Sequence, residues 1–379
     1  MKSKLIFASD SFKGTLSSLR AGELLTRAAR EVFGDKYETV IVPVADGGEG
    51  TAEAVVYAAG GKRVPVRVTG PLGEQVAAFY GDLGGGRAVA DMASASGLTL
   101  VPPEVRNPEK TSTRGTGELL CAMLDAGYRD ITVGIGGSAT NDGGTGFASA
   151  LGVRFLDSRG EALRGRGEDL IEIRSVDATG MHPAILSGEA KITVMCDVKN
   201  PLCGENGATA VFGPQKGADP QAIERLERGM KNYARILSDA VGYDVTKIPG
   251  GGAAGGLGAA LAILCGAKMR SGRETLLDLV GFDGMLGDAA LVVTGEGRTD
   301  AQSFMGKAVS GIGRRAAARG VPVALLCGSL GDGWEDAYKN GITSVFATKP
   351  NDVSLEEAMA RAEEFYLPAA VKMFSSLHL

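Results

Sequence analysis

The chain has 379 residues, of which 44% are hydrophobic and 22% charged, so it can form two or three domains with substantial cores. Its formal net charge of −5 argues against nucleic acid or an anionic membrane as the main partner. No stretch approaches the roughly 20 apolar residues that span a bilayer. The five cysteines are dispersed without a CxxC pair, which is typical of free thiols in a reducing compartment. We therefore expect a cytoplasmic protein.

Two residue types narrow the chemistry. Glycine supplies 57 residues, about twice its usual share, and clusters between apolar runs, which indicates loops shaped by the backbone. The two histidines, His182 and His378, do not adjoin a glycine-rich loop, which disfavours a Ser–His–Asp triad or a histidine-rich zinc site. An enzyme of this composition would depend on carboxylates, lysines and backbone N–H groups, a set that suits phosphoryl transfer.

The first 60 residues alternate strands with helices. Apolar runs at 5–8 and 39–44 predict strands, and a helix follows each of them, the first closed by Gly34. Asp10 and Asp46 come just after the two strands. Because open α/β sheets bind their ligands at the carboxyl ends of the strands, both acids are candidate site residues.

The pattern then changes to closely spaced strands. Residues 64–68 and 76–80 predict a β-hairpin, and a further strand follows at 87–91. A helix is predicted over 117–126. This mixed content indicates a second structural region.

The most informative stretch is 131–146. A β-branched run ends at Gly134, and a glycine-rich polar segment leads into a short helix that Gly152 closes. A strand that passes through glycines into a helix start leaves backbone N–H groups converging on one place, which attracts anions. We therefore predict that this loop binds a phosphate-bearing ligand.

The same stretch also approximates a dinucleotide-binding fingerprint. Gly134-x-Gly136-x-x-Ala139 follows a strand, and Asp157 ends the next predicted strand, 153–156. The polar residues after Ala139 make the turn too long for a tight first strand-to-helix connection. A nicotinamide-dependent dehydrogenase of a small hydroxy acid is therefore an alternative, and a non-catalytic nucleotide or metabolite sensor is another. The sequence contains no Walker A motif.

The rest of the chain returns to strand–helix alternation. Strands are predicted at 192–196, 291–294, 321–326 and 343–347. Asp219, with Pro220 at the first helical position, is expected to cap a long helix, and Ser354 another. The glycine-rich segment 249–258 cannot begin as a regular helix.

These elements predict an α/β protein with two domains. Strand–helix alternation at both ends predicts a parallel-sheet domain of residues 1–65 plus 286–379. A second α/β domain, residues 66–285, would be inserted into it. A cleft between the two domains is the expected place for the active site.

The loops resemble those of the glycerate kinases of the bacterial type I group. The matching segments are, in chain order, SDSFKG at 9–14, VADGGEGT at 44–51, GTGEL at 115–119, GIGGSATNDGG at 134–144, CDVKNPL at 196–202, VFGPQKGA at 211–218, AAGGLG at 253–258 and GEGRTDAQ at 295–302. The resemblance covers nearly the full length in order. It departs from the family pattern at Asp91, where glutamate is expected, and at Arg114, where an aromatic residue is expected.

The resemblance implies ATP-dependent phosphorylation of D-glycerate with Mg²⁺, giving 2-phosphoglycerate, with 3-phosphoglycerate as the alternative product. It also implies a Rossmann-like domain that carries an inserted second domain. ATP would be held by a glycine-rich loop, either 134–144 or 250–258. The expected partners are thus D-glycerate and ATP.

Roles for single residues follow from the resemblance together with the strand-end positions. Asp197 is the predicted base, with Lys13 and Asp10 as further catalytic residues, and Asp46 and Glu296 are the predicted metal ligands. The predicted substrate- and phosphate-binding residues are Ser11, Gly47, Gly48, Gly136, Gly137, Ser138, Asn141, Asp142, Asn200, Lys216 and Asp300.

Overall fold

The computed structural model describes residues 3–12, 14–306 and 308–377. The strands are β1 Lys4–Ser9, β2 Glu38–Ile41, β3 Lys62–Thr69, β4 Gln75–Asp82, β5 Arg87–Asp91, β6 Asp130–Gly134, β7 Arg154–Leu156, β8 Ser175–Asp177, β9 Lys191–Met195, β10 Lys268–Arg270, β11 Ala289–Gly295, β12 Arg298–Thr299, β13 Val323–Cys327, β14 Ser329–Leu330 and β15 Ser344–Ala347. The helices are α1 Ser18–Phe33, α2 Thr51–Ala59, α3 Ala93–Ser96, α4 Arg114–Asp125, α5 Thr145–Ala150, α6 Pro183–Leu186, α7 Ala208–Phe212, α8 Pro220–Val241, α9 Leu257–Leu264, α10 Gly272–Leu279, α11 Phe282–Met285, α12 Ala308–Ala317, α13 Leu355–Ala360 and α14 Ala362–Ser376.

The described residues form two compact units. Unit 1 comprises residues 1–45, 57–60 and 273–379, and unit 2 comprises 46–56 and 61–272. The predicted domain division at 65/66 and 285/286 stays a prediction. Residues 273–285 belong to compact unit 1. In that unit, Arg315 of α12 binds Glu274 and Asp278 of α10.

Unit 1 is built on a five-stranded parallel sheet in the order β15-β13-β11-β1-β2. The chain runs from β1 to β2 on one side and later from β11 through β13 to β15 on the other. The strand order therefore reverses between β1 and β11. The predicted Rossmann-like α/β fold is confirmed.

Helices α1 and α14 bury their apolar faces against this sheet. Along α1, Leu24, Leu25 and Ala28 are fully buried at helical spacing. Ser17 caps the amino end through Arg20 N at 3.1 Å, and Gly34 closes the carboxyl end with a left-handed φ of 58°. The predicted helix is confirmed.

Strand β2 ends three residues earlier than predicted, at Ile41. Pro43 has no N–H to give to the sheet, so the ladder cannot continue through it. The next residue, Val44, instead donates its N–H to Ser18 Oγ at 2.8 Å.

Unit 2 is built on a six-stranded mixed sheet in the order β10-β9-β6-β5-β4-β3. Strands β3 and β4 form the predicted hairpin, with Val68 opposite Val76, whereas β5, β6, β9 and β10 are parallel. Its core lies between this sheet and the surrounding helices, and includes Leu119, Phe147 and Tyr233. Among the described residues, no helix is both long and apolar enough to cross a membrane.

Candidate active site

In unit 2, a cavity of about 280 Å³ opens at the carboxyl ends of β6 and β9. Among its lining residues are seven of the predicted site residues: Asp46, Gly48, Gly136, Gly137, Ser138, Asp197 and Lys216. These seven residues come from four separate loops that meet at one edge of the sheet, as the strand-end argument predicted.

Two glycine loops meet backbone to backbone beside this cavity. Gly136 N donates to Gly47 O at 2.9 Å, and a Cβ on Gly136 would lie 2.7 Å from the Gly48 Cα. Gly47 has a left-handed φ of 93°, and a Cβ there would lie 2.9 Å from Met195 O. Side chains at these positions would separate the loops, so the glycines set the shape of the cavity wall.

Gly272 packs against the backbone of Asp46 and binds the carboxylate of Asp197. The N–H of Gly272 donates to Asp197 Oδ1 at 3.0 Å, and a Cβ on Gly272 would lie 2.1 Å from the Asp46 carbonyl oxygen. Only glycine fits this contact. Gly272 was not singled out in the sequence, because the contact joins residues far apart in the chain.

Lys216 is a buried cation at the cavity wall. It is 2% exposed, and its Nζ donates to the Thr140 carbonyl oxygen at 2.7 Å. Burial lowers the pKa of the Lys216 ammonium to about 7, and the Asp142 carboxylate opposes part of that fall. A buried ammonium group can bind an anion strongly, because little water is present to screen its charge.

Ala254 lies across the same cavity in a strained conformation. Among the described residues it is the one non-glycine residue with positive φ, at 52°. It precedes Gly255 and Gly256, which are also left-handed, before α9 begins. The segment thus starts irregularly, as expected from its glycines, and backbone strain of this kind often occurs at functional sites.

Asn141 and Asp142, in the second half of the 134–144 loop, are fully buried and do not line the cavity. The Asp142 carboxylate accepts hydrogen bonds from Thr113 N, Thr113 Oγ1, Gly144 N and Gly146 N, at 2.7 to 3.2 Å. The backbone N–H groups of Gly144 and Gly146, which we expected to face a ligand anion, are therefore occupied by a carboxylate of the protein itself. Burial raises the pKa of Asp142, and these bonds oppose that rise.

We expect Asp142→Ala to lower the free energy of unfolding by about 3 kcal/mol, since it leaves three buried N–H groups without an acceptor. Urea denaturation followed by circular dichroism measures this loss. The exposed Asp239, which pairs with Arg235 on its own helix, is the control: Asp239→Ala should change stability by less than about 0.5 kcal/mol. An Asp142→Ala protein as stable as the wild type, with only weaker substrate binding, would instead favour a direct binding role.

Two other residues hold loops near the cavity. Asn200 lies outside the cavity lining, and its side-chain amide donates to Asn206 O at 2.9 Å. Asp91, at the end of β5, is buried and accepts Ala52 N on both oxygens, at 3.0 and 2.9 Å. Burial raises the pKa of Asp91 to about 7. Asp91 thus joins the start of α2 to β5, a role that sequence reasoning missed.

Unit 1 has a second cavity, of about 370 Å³, at the carboxyl ends of β1, β11, β13 and β15. Four predicted site residues line it: Asp10, Ser11, Glu296 and Asp300. Glu296 is 8% exposed and accepts Thr299 Oγ1 at 3.2 Å, while Asp10 Oδ2 lies 3.8 Å from Arg273 Nε. Lys13, the other predicted catalytic residue, lies outside the described residues.

The two predicted metal ligands belong to different units, Asp46 to unit 2 and Glu296 to unit 1. Within the part of the chain that the structure describes, no three His, Cys, Asp or Glu side chains form a metal-binding group. The placement of the active site in an interdomain cleft stays a prediction.

The comparisons with known proteins agree with the resemblance of the loops. The sequence model of the glycerate kinase family matches residues 5–377. The chain belongs to the glycerate kinase family. Members of this family are phosphotransferases, so the chain is an enzyme of that class.

Relatives and a solved structure cover nearly the whole chain. A protein of Halalkalibacterium halodurans named glycerate kinase is 45% identical over 97% of this chain and 96% of its own. An Escherichia coli protein named glycerate 2-kinase is 43% identical over 95% of this chain and 94% of its own. A crystal structure from Salmonella typhimurium LT2 that carries the name glycerate kinase 2 has a TM-score of 0.86 and 43% identity, covering 99% of this chain and 98% of that one.

Family membership argues against the nicotinamide alternative, and the structure removes its basis. Strand β7 pairs with β8 in a separate antiparallel sheet and is not a neighbour of β6. Asp157 lies after this short hairpin strand and accepts the N–H groups of Arg159 and Glu161, at 2.8 and 2.9 Å. It therefore stabilises a turn and does not have the position that binds a ribose.

Proposed function

We propose that this chain transfers the γ-phosphoryl group of ATP to a hydroxyl of D-glycerate, giving 2-phosphoglycerate and ADP, with 3-phosphoglycerate as the alternative product. The observation that carries the proposal is the meeting of Asp197 and Lys216 at one cavity in a chain of the glycerate kinase family. Phosphoryl transfer needs a carboxylate that accepts the hydroxyl proton and donors that hold the phosphate oxygens. This cavity contains both.

Asp197 accepts the proton of the attacking glycerate hydroxyl. That oxygen forms a bond to the γ-phosphorus as the bond from the γ-phosphorus to the β,γ-bridging oxygen breaks, and ADP leaves with the electron pair. Gly272 N donates to one Asp197 oxygen at 3.0 Å, which helps to orient the carboxylate at the cavity. Lys216 and the loop 136–138 stabilise the negative charge of the carboxylate or phosphoryl oxygens.

Mg²⁺ fits the donors of the cavity. Asp46 and Asp197 both line it, and Mg²⁺ is usually bound by one or two carboxylates together with substrate phosphates. Asp46 would hold the ion, and Glu296 remains the second predicted ligand. When bound, the ion supplies neutralisation of charge on the phosphate oxygens.

The proposal is tested by incubating the purified chain with D-glycerate, ATP and Mg²⁺ and identifying the product by ³¹P NMR. We expect a new phosphomonoester signal at the position of authentic 2-phosphoglycerate, with ADP formed in equal amount. Reactions without glycerate and with L-glycerate are the controls. ADP release that does not depend on glycerate would contradict the proposal, as would tight NADH binding without ATP binding.

The five free cysteines favour a reducing compartment, and a cytoplasmic location is therefore part of the proposal.

A further inference from the structure

We propose that the unit 1 cavity binds the adenine nucleoside of ATP, with Met359 and Leu355 of α13 as an apolar wall against the base. This inference rests on the proposed function, because the nucleoside is part of the proposed co-substrate ATP. The role of Asp197 as the base does not indicate where that nucleoside binds. It is argued from unit 1 alone.

The position of the cavity in the sheet is the first argument. Open parallel sheets bind ligands outside the carboxyl ends of the strands where the strand order reverses, because the connections leave in opposite directions and a crevice remains. In unit 1 this point lies between β1 and β11, whose following residues Asp10 and Glu296 both line the cavity. In unit 2 the strands follow one another from β3 to β10 without a reversal. The topology therefore favours unit 1 for the nucleotide.

The second argument is the composition of the walls. Met359 and Leu355 are large apolar side chains that remain 45% and 55% exposed, and both face the cavity. Phe12 and Leu16 are buried in the wall and extend its apolar surface. A flat heterocyclic base gains from burial against such side chains, whereas glycerate has no apolar face to offer.

The third argument is the charge of the polar edge. The polar side of the cavity carries both signs of charge: the carboxylates of Asp10, Glu296 and Asp300, and the cations Arg273, Arg298 and Lys349. Arg273 Nε lies 3.8 Å from Asp10 Oδ2, and Arg298 Nε lies 3.7 Å from Asp300 Oδ2. The carboxylates can accept hydrogen bonds from ribose hydroxyls, and the cations suit the phosphate attached to the ribose. A volume of about 370 Å³ also suits a nucleoside better than an acid of three carbons.

The test compares ADP with tripolyphosphate, a ligand that has phosphates but no nucleoside, in calorimetric titrations of the full chain. We expect Met359→Asn to weaken ADP binding roughly tenfold, because a polar amide replaces the apolar contact, and to leave tripolyphosphate binding unchanged. Ala358→Trp, which fills the cavity, should weaken ADP binding further. Met359→Leu should bind ADP as the wild type does.

Leu186→Asn is the matched control, since Leu186 is 59% exposed and lines neither cavity. Unchanged ADP affinity in both Met359→Asn and Ala358→Trp would overturn the inference, as would an equal loss for ADP and tripolyphosphate. Turnover of D-glycerate by the wild type is measured separately. A wild type that binds ADP through Met359 without phosphorylating D-glycerate would refute the proposed function and support the nucleoside site, so the two failures can be told apart.

Discussion

Asp197→Asn should lower kcat about 10²- to 10⁴-fold while changing the KM values for ATP and D-glycerate by less than roughly threefold. The amide has nearly the shape of the carboxylate, and its oxygen can still accept the N–H of Gly272. The geometry of the cavity wall is therefore kept. An amide cannot take up the hydroxyl proton, however, so the interaction that is lost exists only in the transition state.

Steady-state kinetics with ADP release coupled to a dehydrogenase assay measures both constants. Asp130→Asn is the matched control, because Asp130 is exposed at the opposite end of β6, and it should retain wild-type turnover. Full turnover by Asp197→Asn would assign the proton to another acid. The same substitution at Asp46 and at Asp10 would then identify which one, since these acids line the unit 2 and unit 1 cavities respectively.

Local patterns in the sequence predicted most of the elements around these acids. Asp197 follows the apolar run of β9 by two residues, so its place at the sheet edge follows from the strand alone. The same holds for β1 with Asp10 and for β11 with Glu296. Strands β1 and β11 are neighbours in the parallel sheet of unit 1, which places their following loops at one edge, whereas β9 lies in the sheet of unit 2.

Contacts between distant segments could not be predicted in this way. Asp142 accepts two of its hydrogen bonds from Thr113, 29 residues away, and Lys216 donates to the carbonyl of Thr140, 76 residues away. Nothing in the neighbours of Asp142 distinguishes a carboxylate that binds a ligand from one that binds the protein's own N–H groups. The difference is decided by burial, which depends on how the whole of unit 2 packs.

Helix α13 has apolar residues that sequence reasoning did not use as an indication of a binding site. Leu355 and Met359 are four residues apart and thus lie on one face of the helix, as core residues do. Helix α13 has six residues, and the core does not cover its apolar face. In α1, by contrast, the apolar residues at the same spacing are fully buried. The spacing alone cannot tell a face that packs on the core from one that lines a cavity.

Lys216→Met should lower kcat/KM about 10²- to 10³-fold, the usual loss when one donor to a transition-state oxyanion is removed. Methionine has a similar length and fills the same buried space, so the loss reports the missing ammonium group. Lys231→Met is the control, because Lys231 is an exposed lysine of α8 that is paired with Glu227. Wild-type kcat/KM in Lys216→Met would show that the buried lysine is a structural group only.

The Lys216→Met variant also tests stability, because the buried charge that should help catalysis is expected to destabilise the folded chain. The pKa of Lys216 is about 7 in the folded chain, below its ordinary value of 10.5, which applies to the unfolded chain. Between these two values the unfolded chain therefore binds more protons than the folded one. Stability of the wild type should therefore rise with pH across this window, by at most about 1.4 kcal/mol per pH unit, because the cost of burying the charge is relieved. Lys216→Met has no charge to bury and should lack this contribution, which urea denaturation at pH 7 and 9 measures.

An anion that binds Lys216 should also draw a proton onto it above pH 7, detectable by titration calorimetry in buffers of different ionisation enthalpy. Equal pH dependence of stability in the two proteins, with no proton uptake on binding, would mean that Lys216 already carries its charge when the site is empty.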